Sequence, residues 1–468
     1  MKLMIPRYEL KEAMQGLNRV IARNATLPIL KAVRFSAKNG QLTATATDLE
    51  QTGIFRFETP AADNVQFLVD SKHLLPLLKG RDNDVVEFEI LGKNQLGITN
   101  TVAGHGITTT AELMDIAEWP ADPPEIKSQT VDGSFMAHLR SAMRFASTDE
   151  SRYVLNSVYL EAGAKDHHLV ATDGRRLTCF NSATLPINEG CIVPVRKFLS
   201  WNKLEGPVAI GTRKMNDVTW FGLEMGRWSY VTKCLEGAFP NWRQVVPSEP
   251  GKHRMTFGDE DVQLLRNVLP TFPGFDRADG LIKIAGHKGK LVISGNPAES
   301  EAWTDLHLEH STHTGPDSSV GVSRDYLTDA LEAGFRTFSY ADEHGPLLST
   351  TADGGTHVLM PIRLSETPAP QPVTHPAVAP QTVRQVQPRQ TKHHQEGAKV
   401  MRDEKKKDSA LDRVLAAFEI AKLKVREAND ALVAIANAVK EAVREDRQRQ
   451  SEVDAVRAGL AKVQAIRV

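Results

Sequence analysis

The apolar positions of the first 364 residues follow a pattern that occurs three times. Each occurrence opens with apolar residues at helical spacing, and these are Leu10, Met14, Leu17 and Ile21, then Phe135, Leu139, Ala142 and Ala146, then Val262, Leu265 and Leu269. Spacing of three and four residues predicts a helix with one buried face. Each repeat is also predicted to contain a second helix, which follows Val69, Val193 and Val322 in turn. The one in the second repeat is predicted over 193–204. Alternating runs at 85–90, 290–294 and 357–362 predict short strands.

A polar turn marks the same point in each repeat. Strand-like runs end at Asp48, Asp173 and Asn296, which lie 125 and 123 residues apart. Asp and Asn suit such turns because their side chains accept hydrogen bonds from nearby backbone amides. The pattern predicts an α+β protein of three repeated domains, over 1–125, 126–250 and 251–364, each with two helices and antiparallel sheets. Three unrelated α+β domains are the alternative, and the shared element order argues against them.

Composition narrows the class of protein. The 468 residues carry a net charge of -1, so any nucleic-acid contact must come from local clusters of Lys and Arg. The three cysteines form no CxxC pair, which argues against a disulfide framework or a thiolate zinc site. The N-terminus lacks a secretory signal, and no long apolar run occurs. We expect a cytoplasmic protein with no metal or cofactor.

The composition changes after Leu364. Residues 365–400 are rich in Pro, Gln, Thr and His, which predicts an extended linker. Residues 401–468 carry a heptad pattern of apolar positions, broken only at Asp446 and Arg449, which predicts a coiled-coil tail. The tail is interpreted as an arm for self-association or partner recruitment, because its apolar stripe would otherwise be exposed. The alternatives are a helical hairpin and a solvated appendage.

Four groups of residues resemble one known family. They are 26–30 with 45–50, 152–156 with 170–177, 239–243 with 245–247, and 358–364. Together they resemble the beta sliding clamps of bacterial DNA polymerase III. The resemblance implies half of a ring per chain, with two chains closing a homodimer around double-stranded DNA. It also implies a non-catalytic processivity factor whose partners are a clamp loader and replicative and repair polymerases.

The resemblance also implies a pocket for partner peptides between the second and third domains. By motif, it would use Arg152, Leu155, Thr172, Gly174, Arg175, Arg176, Leu177, Pro240, Val245, Tyr326, Val358, Met360, Pro361 and Arg363. Met360 can repack around different ligands. Two positions depart from the family: Arg175 stands where His is common, and Gln244 where many relatives carry Arg. Without the resemblance, ordinary core packing would explain the apolar members.

A clamp that slides needs cations that contact phosphates without reading bases. The candidates for DNA-facing residues are Arg23, Lys72, Arg140, Arg144, Arg152, Tyr153, Arg196, Lys197 and Lys203. The windows 133–148 and 193–204 contain no acidic residue near their cations, whereas Asp259, Glu260 and Asp261 open the third repeat. Acidic residues in a first helical turn also interact favourably with the helix dipole, so the sequence leaves the third domain's share of DNA contact open. Taken singly, each cation could also be an ordinary solvated residue.

An enzyme and a filament-forming protein are the rival classes. The sequence contains no GxxxxGK[ST] loop, no HExxH and no GxSxG. Asp48 and Asp173 recur with the repeat, which indicates turns rather than the acids of one active site. A coiled-coil filament would explain the tail but not the threefold core.

Overall fold

The structure is a computed structural model, and it describes residues 2–364 except 23, 62–64, 93, 103, 164–166, 183 and 298–301. The predicted linker over 365–400, the predicted coiled-coil tail over 401–468 and the candidate Arg23 therefore lie outside the described residues. Within the described part of the chain, no helix has the length and apolar character needed to cross a membrane.

Each repeat contains eight strands among its described residues. In the first repeat they are β1 Lys2–Pro6, β2 Ala32–Lys38, β3 Gln41–Thr47, β4 Gln51–Pro60, β5 Gln66–Asp70, β6 Val85–Ile90, β7 Gln95–Val102 and β8 His105–Met114. In the second they are β9 Gln129–Thr130, β10 Ser157–Ala162, β11 His167–Thr172, β12 Arg176–Ser182, β13 Cys191–Pro194, β14 Val208–Met215, β15 Val218–Met225 and β16 Trp228–Lys233. In the third they are β17 His253–Thr256, β18 Leu281–His287, β19 Lys290–Gly295, β20 Thr304–Thr314, β21 Ser318–Ser323, β22 Thr337–Tyr340, β23 Leu347–Thr350 and β24 Thr356–Leu359.

Five α-helices pack against these strands in the described residues. They are α1 Arg7–Leu17, α2 Ser71–Leu74, α3 Phe135–Phe145, α4 Asp259–Val268 and α5 Arg324–Glu332. The three long helices that open the repeats lie where the apolar spacing predicts them. Leu10, Leu139 and Leu265 are all buried, so the predicted apolar faces do point into the core.

The predicted second helix is confirmed only in the third repeat, as α5. In the first repeat it shrinks to α2 and a 3-10 turn over Leu75–Leu78, where Pro76 lacks the amide that a longer helix needs. In the second repeat the predicted helix over 193–204 is wrong, because the segment forms turns. Phe198 and Trp201 are buried there against Trp228, at centroid distances of 5.1 and 5.7 Å. This packing overrides the helical period.

The strands form two twelve-stranded antiparallel sheets. The fourth strand of one repeat pairs with the eighth strand of the next: β4 with β16, and β12 with β24. The first two repeats also pack closely, since a Cβ added at Gly16 would lie 2.2 Å from the Trp228 ring. The same type of strand pairing therefore joins successive repeats.

Candidate peptide groove and nucleic-acid surface

The same turn precedes the joining strand in the first two repeats. The Asp48 side chain accepts a hydrogen bond from the Gln51 amide at 2.8 Å, and Asp173 accepts one from the Arg176 amide at 3.0 Å. Between them, Leu49 and Gly174 both have positive φ, 77° and 87°. Glycine adopts this conformation at less cost than leucine. The predicted role of the two aspartates as turn residues is confirmed.

The turn at Asp173 opens onto a groove between the second and third repeats. We call this the apolar groove; its volume is about 280 Å³. It is lined by Leu155, Thr172, Gly174, Arg175, Arg176, Leu177, Pro240, Asn241, Trp242, Val245, Val358 and Met360. Pairing of Leu177 with Val358 across β12 and β24 builds its floor. Val245 and Met360 are exposed by 52% and 43%, so apolar surface faces solvent there.

Arg176 anchors the two repeats beneath this groove. Its guanidinium donates to the Asp173 and Asp329 carboxylates, at 3.1 and 2.7 Å, and to the backbone carbonyl of Arg144 at 2.8 Å. It also lies over the Tyr326 ring, 4.2 Å from the centroid. Burial, with Asp173 nearby, raises the pKa of Tyr326, so its hydroxyl stays protonated. Arg176 is therefore a structural cation, fully engaged by the protein.

A second cavity of about 370 Å³ adjoins the apolar groove, and we call it the adjoining cleft. It is lined by Arg175, Phe275, Arg277, Ala278, Asp279, Gly280, Ser323, Arg324, Asp325, Tyr326, Met360, Pro361 and Ile362. Arg175 and Met360 line both cavities, and the Met360 amide donates to the Arg175 carbonyl at 2.9 Å. These two residues therefore form a ridge between the cavities.

Twelve of the fourteen pocket residues named from the sequence line one of these two cavities. Arg152 and Arg363 line neither. Arg152 donates to the Asp173 carbonyl at 3.4 Å, beside the turn, and Arg363 is exposed. The structure thus brings together side chains that are far apart in sequence, while their binding role stays a prediction.

Sequence reasoning missed Trp242 and Phe275. Trp242 lies in the quoted segment 239–243, and the Arg243 guanidinium covers its ring at 4.2 Å while pairing with Glu161. The hydrogen bond from Arg243 lowers the pKa of Glu161. Phe275 is 63% exposed in a loop rich in Gly, Pro and Asp. The sequence did offer a signal for Phe275, because an aromatic residue in such a loop is a candidate for binding.

A third cavity lies at the junction of the first two repeats, and we call it the cationic groove. It has a volume of about 1190 Å³, and its lining includes Arg19, Arg196, Lys197, Asp48 and Trp201. The Arg19 guanidinium lies over the Trp201 ring, 5.0 Å from the centroid. Lys197 is exposed and Arg196 is half-buried. Cations at this junction can approach a phosphate backbone.

The other DNA-facing candidates differ in whether groups of the protein already pair with their charges. Arg144 pairs with Asp329 at 2.7 Å and also with Glu332. Arg140 is half-buried and donates to the Leu204 carbonyl at 3.0 Å, and burial lowers its pKa. Lys72 pairs with Asp70 at 3.3 Å. The sequence around Arg140 and Arg144 contains no acidic residue, but Asp329 and Glu332 lie beside Arg144 in the structure.

The remaining candidates are solvent-facing. Tyr153 is 58% exposed. Lys203 is also exposed, and in sequence it directly follows Asn202, which lines the cationic groove. Arg152 pairs with the neighbouring Asp149 at 3.5 Å while remaining exposed. The cations whose charge is least compensated are therefore Arg196, Lys197 and Lys203, all between β13 and β14.

Comparison with known proteins gives a consistent result. The family model of the DNA polymerase III beta subunit, N-terminal domain, matches residues 1–114. The chain is 26% identical over 388 residues to the beta sliding clamp of Pseudomonas aeruginosa, covering 78% of this chain and 100% of that protein. It is 25% identical over 398 residues to that of Caulobacter vibrioides, with the same coverage of 78% and 100%.

Solved structures share the fold. The DNA polymerase III subunit beta of Pseudomonas aeruginosa superposes with a TM-score of 0.63 at 23% identity, covering 78% of this chain and 100% of that one. The sliding clamp of Bartonella birtlesii bound to griselimycin gives a TM-score of 0.65 at 22% identity, covering 78% and 99%. Over the whole length of those relatives, this chain is similar to the beta sliding clamps of DNA polymerase III.

Proposed function

We propose that this chain is a sliding clamp, a processivity factor for a replicative DNA polymerase. Two copies close a ring around duplex DNA, and polymerases, repair proteins and a clamp loader dock through the apolar groove and the adjoining cleft. The chain itself performs no chemistry. It holds the polymerase at its template by topology, so its residues must assemble a ring, tolerate any DNA sequence and bind short peptides.

The proposal rests on the open edges of β8 in the first repeat and β20 in the third repeat. The fourth strand of each of the first two repeats pairs with the eighth strand of the following repeat. By the same rule, β20 of the third repeat should pair with an eighth strand, and β8 of the first repeat should receive a fourth strand. A second copy of the chain supplies both partners. Two such contacts close a head-to-tail ring of six repeats.

Both terminal strands have open edges among the described residues. β8 pairs with β7 along its length but with β5 only through Leu113 and Met114. β20 pairs with β17 only through residues 312–314, which leaves one edge of Thr304–Ser311 without a described strand. Open edges present unpaired amides and carbonyls and favour strand addition. Ile107 of β8 is 51% exposed and is available to pack at such a contact.

The charge distribution supports topological holding rather than tight electrostatic binding. The net charge of the chain is -1, so long-range attraction to DNA is modest. The cations of the cationic groove provide a local contact with phosphates, and phosphate contacts carry no sequence information. A ring of this kind holds DNA because it encloses it, and it slides because its contacts exchange easily.

The test compares nicked circular DNA with the same DNA after linearisation. The full-length protein, loaded on the nicked circle, should withstand a salt wash that removes it from linear duplex. Cutting the circle should then release it. Loss from intact circles and linear DNA at the same salt concentration would contradict the proposal, because it is the behaviour of an ordinary electrostatic binder.

The same assay, run with edge variants, connects retention to ring closure. Ile107→Lys places a charge at the open edge of β8 and should convert the dimer to monomer in sedimentation while abolishing retention on circles. Ile116→Lys is the matched control, since Ile116 is 42% exposed but lies outside β8. Equal retention of the two variants would show that β8 does not close the ring.

A further inference from the structure

Two of the three cysteines of the chain lie in contact, although they are far apart in sequence. Cys191 begins β13, and Cys234 directly follows β16. The Leu235 amide donates a hydrogen bond of 2.8 Å to the Ile192 carbonyl, so an antiparallel bridge joins the neighbours of the two cysteines. A hydrogen bond also joins the Cys191 and Cys234 thiols. The fold therefore holds two free thiols close enough for a disulfide to form between them.

A cavity of about 430 Å³ gives a small molecule access to this pair, and we call it the thiol cavity. Cys191 and Cys234 both line it. Asp217 and Glu236 also line it and are exposed, so the cavity opens to solvent. The two cysteines are only 4% and 7% exposed, which keeps proteins and large reagents away from the sulfur atoms. A molecule as small as a peroxide fits into the cavity and reaches them.

Cys179, in the same repeat, provides a comparison. It is 2% exposed and packs in an apolar cluster with Val170, Leu177 and Val358. It does not line the thiol cavity, and burial raises the pKa of its thiol to about 12. The reactive form of cysteine is the thiolate, so Cys179 is inert at neutral pH.

The two thiols of the pair are not equivalent. The hydrogen bond with Cys234, together with burial, raises the pKa of the Cys191 thiol. Cys234 is the more exposed of the two. We therefore expect Cys234 to react first with an oxidant, and Cys191 to react second.

We propose that Cys191 and Cys234 are a redox-sensitive pair, which a peroxide converts to a disulfide that fastens β13 to the segment after β16. The Cys234 sulfur attacks one oxygen of hydrogen peroxide, the O–O bond breaks, and a sulfenic acid and water form. The Cys191 sulfur then attacks the Cys234 sulfur, the S–S bond forms, the S–O bond breaks, and a second water leaves. Both thiols are oxidised, and one peroxide is reduced to two waters.

A metal site is the alternative for two adjacent thiols. A structural zinc site needs more ligands than two thiols provide. Within the part of the chain that the structure describes, no group of three His, Cys, Asp or Glu side chains could hold a metal ion. The chemistry that remains for the pair is thiol oxidation.

The position of the pair gives the disulfide a physical effect. β13 leads into Arg196 and Lys197 of the cationic groove, and the segment after β16 leads to Trp242 of the apolar groove. A cross-link strengthens the bridge between these two segments, so the Leu235 amide should exchange its hydrogen about tenfold more slowly in the oxidised protein. Neither cysteine lines either groove, so the thiols can be tested without DNA or peptides.

The experiment treats the full-length protein with hydrogen peroxide after its reductant has been removed. Remaining thiols are alkylated, the protein is digested, and the peptides are mapped by mass spectrometry. We expect one linked pair of peptides, Cys191 with Cys234, and an alkylated Cys179. Dithiothreitol should restore both thiols of the pair. The same treatment in denaturant is the control, and it should give mixed pairings that include Cys179.

Three variants assign the order of the steps. Cys191→Ser should leave the sulfenic acid on Cys234, where dimedone traps it. Cys234→Ser should leave Cys191 without dimedone adduct, because the thiol that reacts first is missing. Cys179→Ser is the matched control and should form the disulfide as the wild type does.

The map of the wild-type protein decides the matter even if a serine variant fails to fold, because it needs no substitution. No disulfide after peroxide treatment, or a native mixture of pairings like that in denaturant, would overturn the proposal. A linked pair with unchanged hydrogen exchange at Leu235 would also overturn it, because the disulfide would then fasten nothing.

Discussion

Arg176 of the second repeat donates a hydrogen bond of 2.7 Å to the Asp329 carboxylate of the third repeat. Asp329 also accepts one of 2.7 Å from Arg144, so a single carboxylate joins two cations of the second repeat. Arg176 is 8% exposed as a residue, and it has little access to water if this partner is lost. The contact therefore couples the packing of the two repeats to the position of the groove above it.

Asp329→Asn should lower the free energy of unfolding by about 2 kcal/mol, because a buried guanidinium loses a charged partner. Chemical denaturation of the full-length protein measures the change. Glu249→Gln, at an exposed site, is the control and should alter stability by less than about 0.5 kcal/mol. Equal stability of the two variants would mean that the charge of Asp329 contributes nothing to the junction.

Local pattern was sufficient for the long helices and the turns. The apolar spacing of α1, α3, α4 and α5 reflects one buried face, and the aspartates at 48 and 173 bond to amides two and three residues ahead. These features depend on residues close in sequence. The repeat then predicts the α+β class, because each unit needs the same elements to bury its apolar face.

Features that depend on distant residues were not predictable in the same way. The segment 193–204 forms turns because Phe198 and Trp201 pack on Trp228 from another strand. Arg144 lies in a window without acids, yet its partner Glu332 is 188 residues away in sequence. The groove residues were named through the family resemblance; spacing alone would have assigned Leu177 to the core, where its 3% exposure also places it.

Leu177→Ala combined with Met360→Ala should weaken the binding of polymerase-derived peptides without dissociating the dimer. Each truncation removes apolar contact worth roughly 1–3 kcal/mol, which is about ten- to hundredfold in affinity per anchor. Titration calorimetry measures the affinity, and sedimentation measures the dimer. Leu264→Ala, a partly exposed leucine on α4, serves as control. Unchanged peptide affinity in the double variant would place the docking site elsewhere.

Arg196→Glu with Lys197→Glu should weaken binding to short linear duplex and reduce loading, while leaving the dimer intact. Each lost phosphate contact should reduce the slope of log affinity against log salt by about 0.9. Arg144→Gln should change that slope far less, because Asp329 and Glu332 already compensate its charge. A larger effect from Arg144 than from the pair would show that the DNA-facing charge lies on α3.

His357 gives the protein a specific dependence of stability on pH. Its ring is fully buried among Phe145, Phe335 and Phe338, at centroid distances of 5.1, 5.1 and 6.3 Å. Burial, and secondarily the charge of Arg176, lower the pKa of His357 from 6.5 to about 3. The folded protein therefore keeps this imidazole neutral at pH values where the unfolded chain protonates it.

Between the two pKa values, unfolding takes up one proton at His357, so stability falls as pH decreases. The slope from this group approaches about 1.4 kcal/mol per pH unit below the unfolded pKa and vanishes above it. His357→Phe should remove this contribution while keeping an aromatic ring in the cluster. Between neutral pH and about pH 5, the variant should therefore lose roughly 2 kcal/mol less stability than the wild type. His344→Phe, at an exposed position, should retain the slope of the wild type. Because the comparison is between slopes, a constant packing cost of the larger ring does not affect it. Parallel curves for wild type and His357→Phe would mean that His357 takes up its proton equally in the folded and unfolded states.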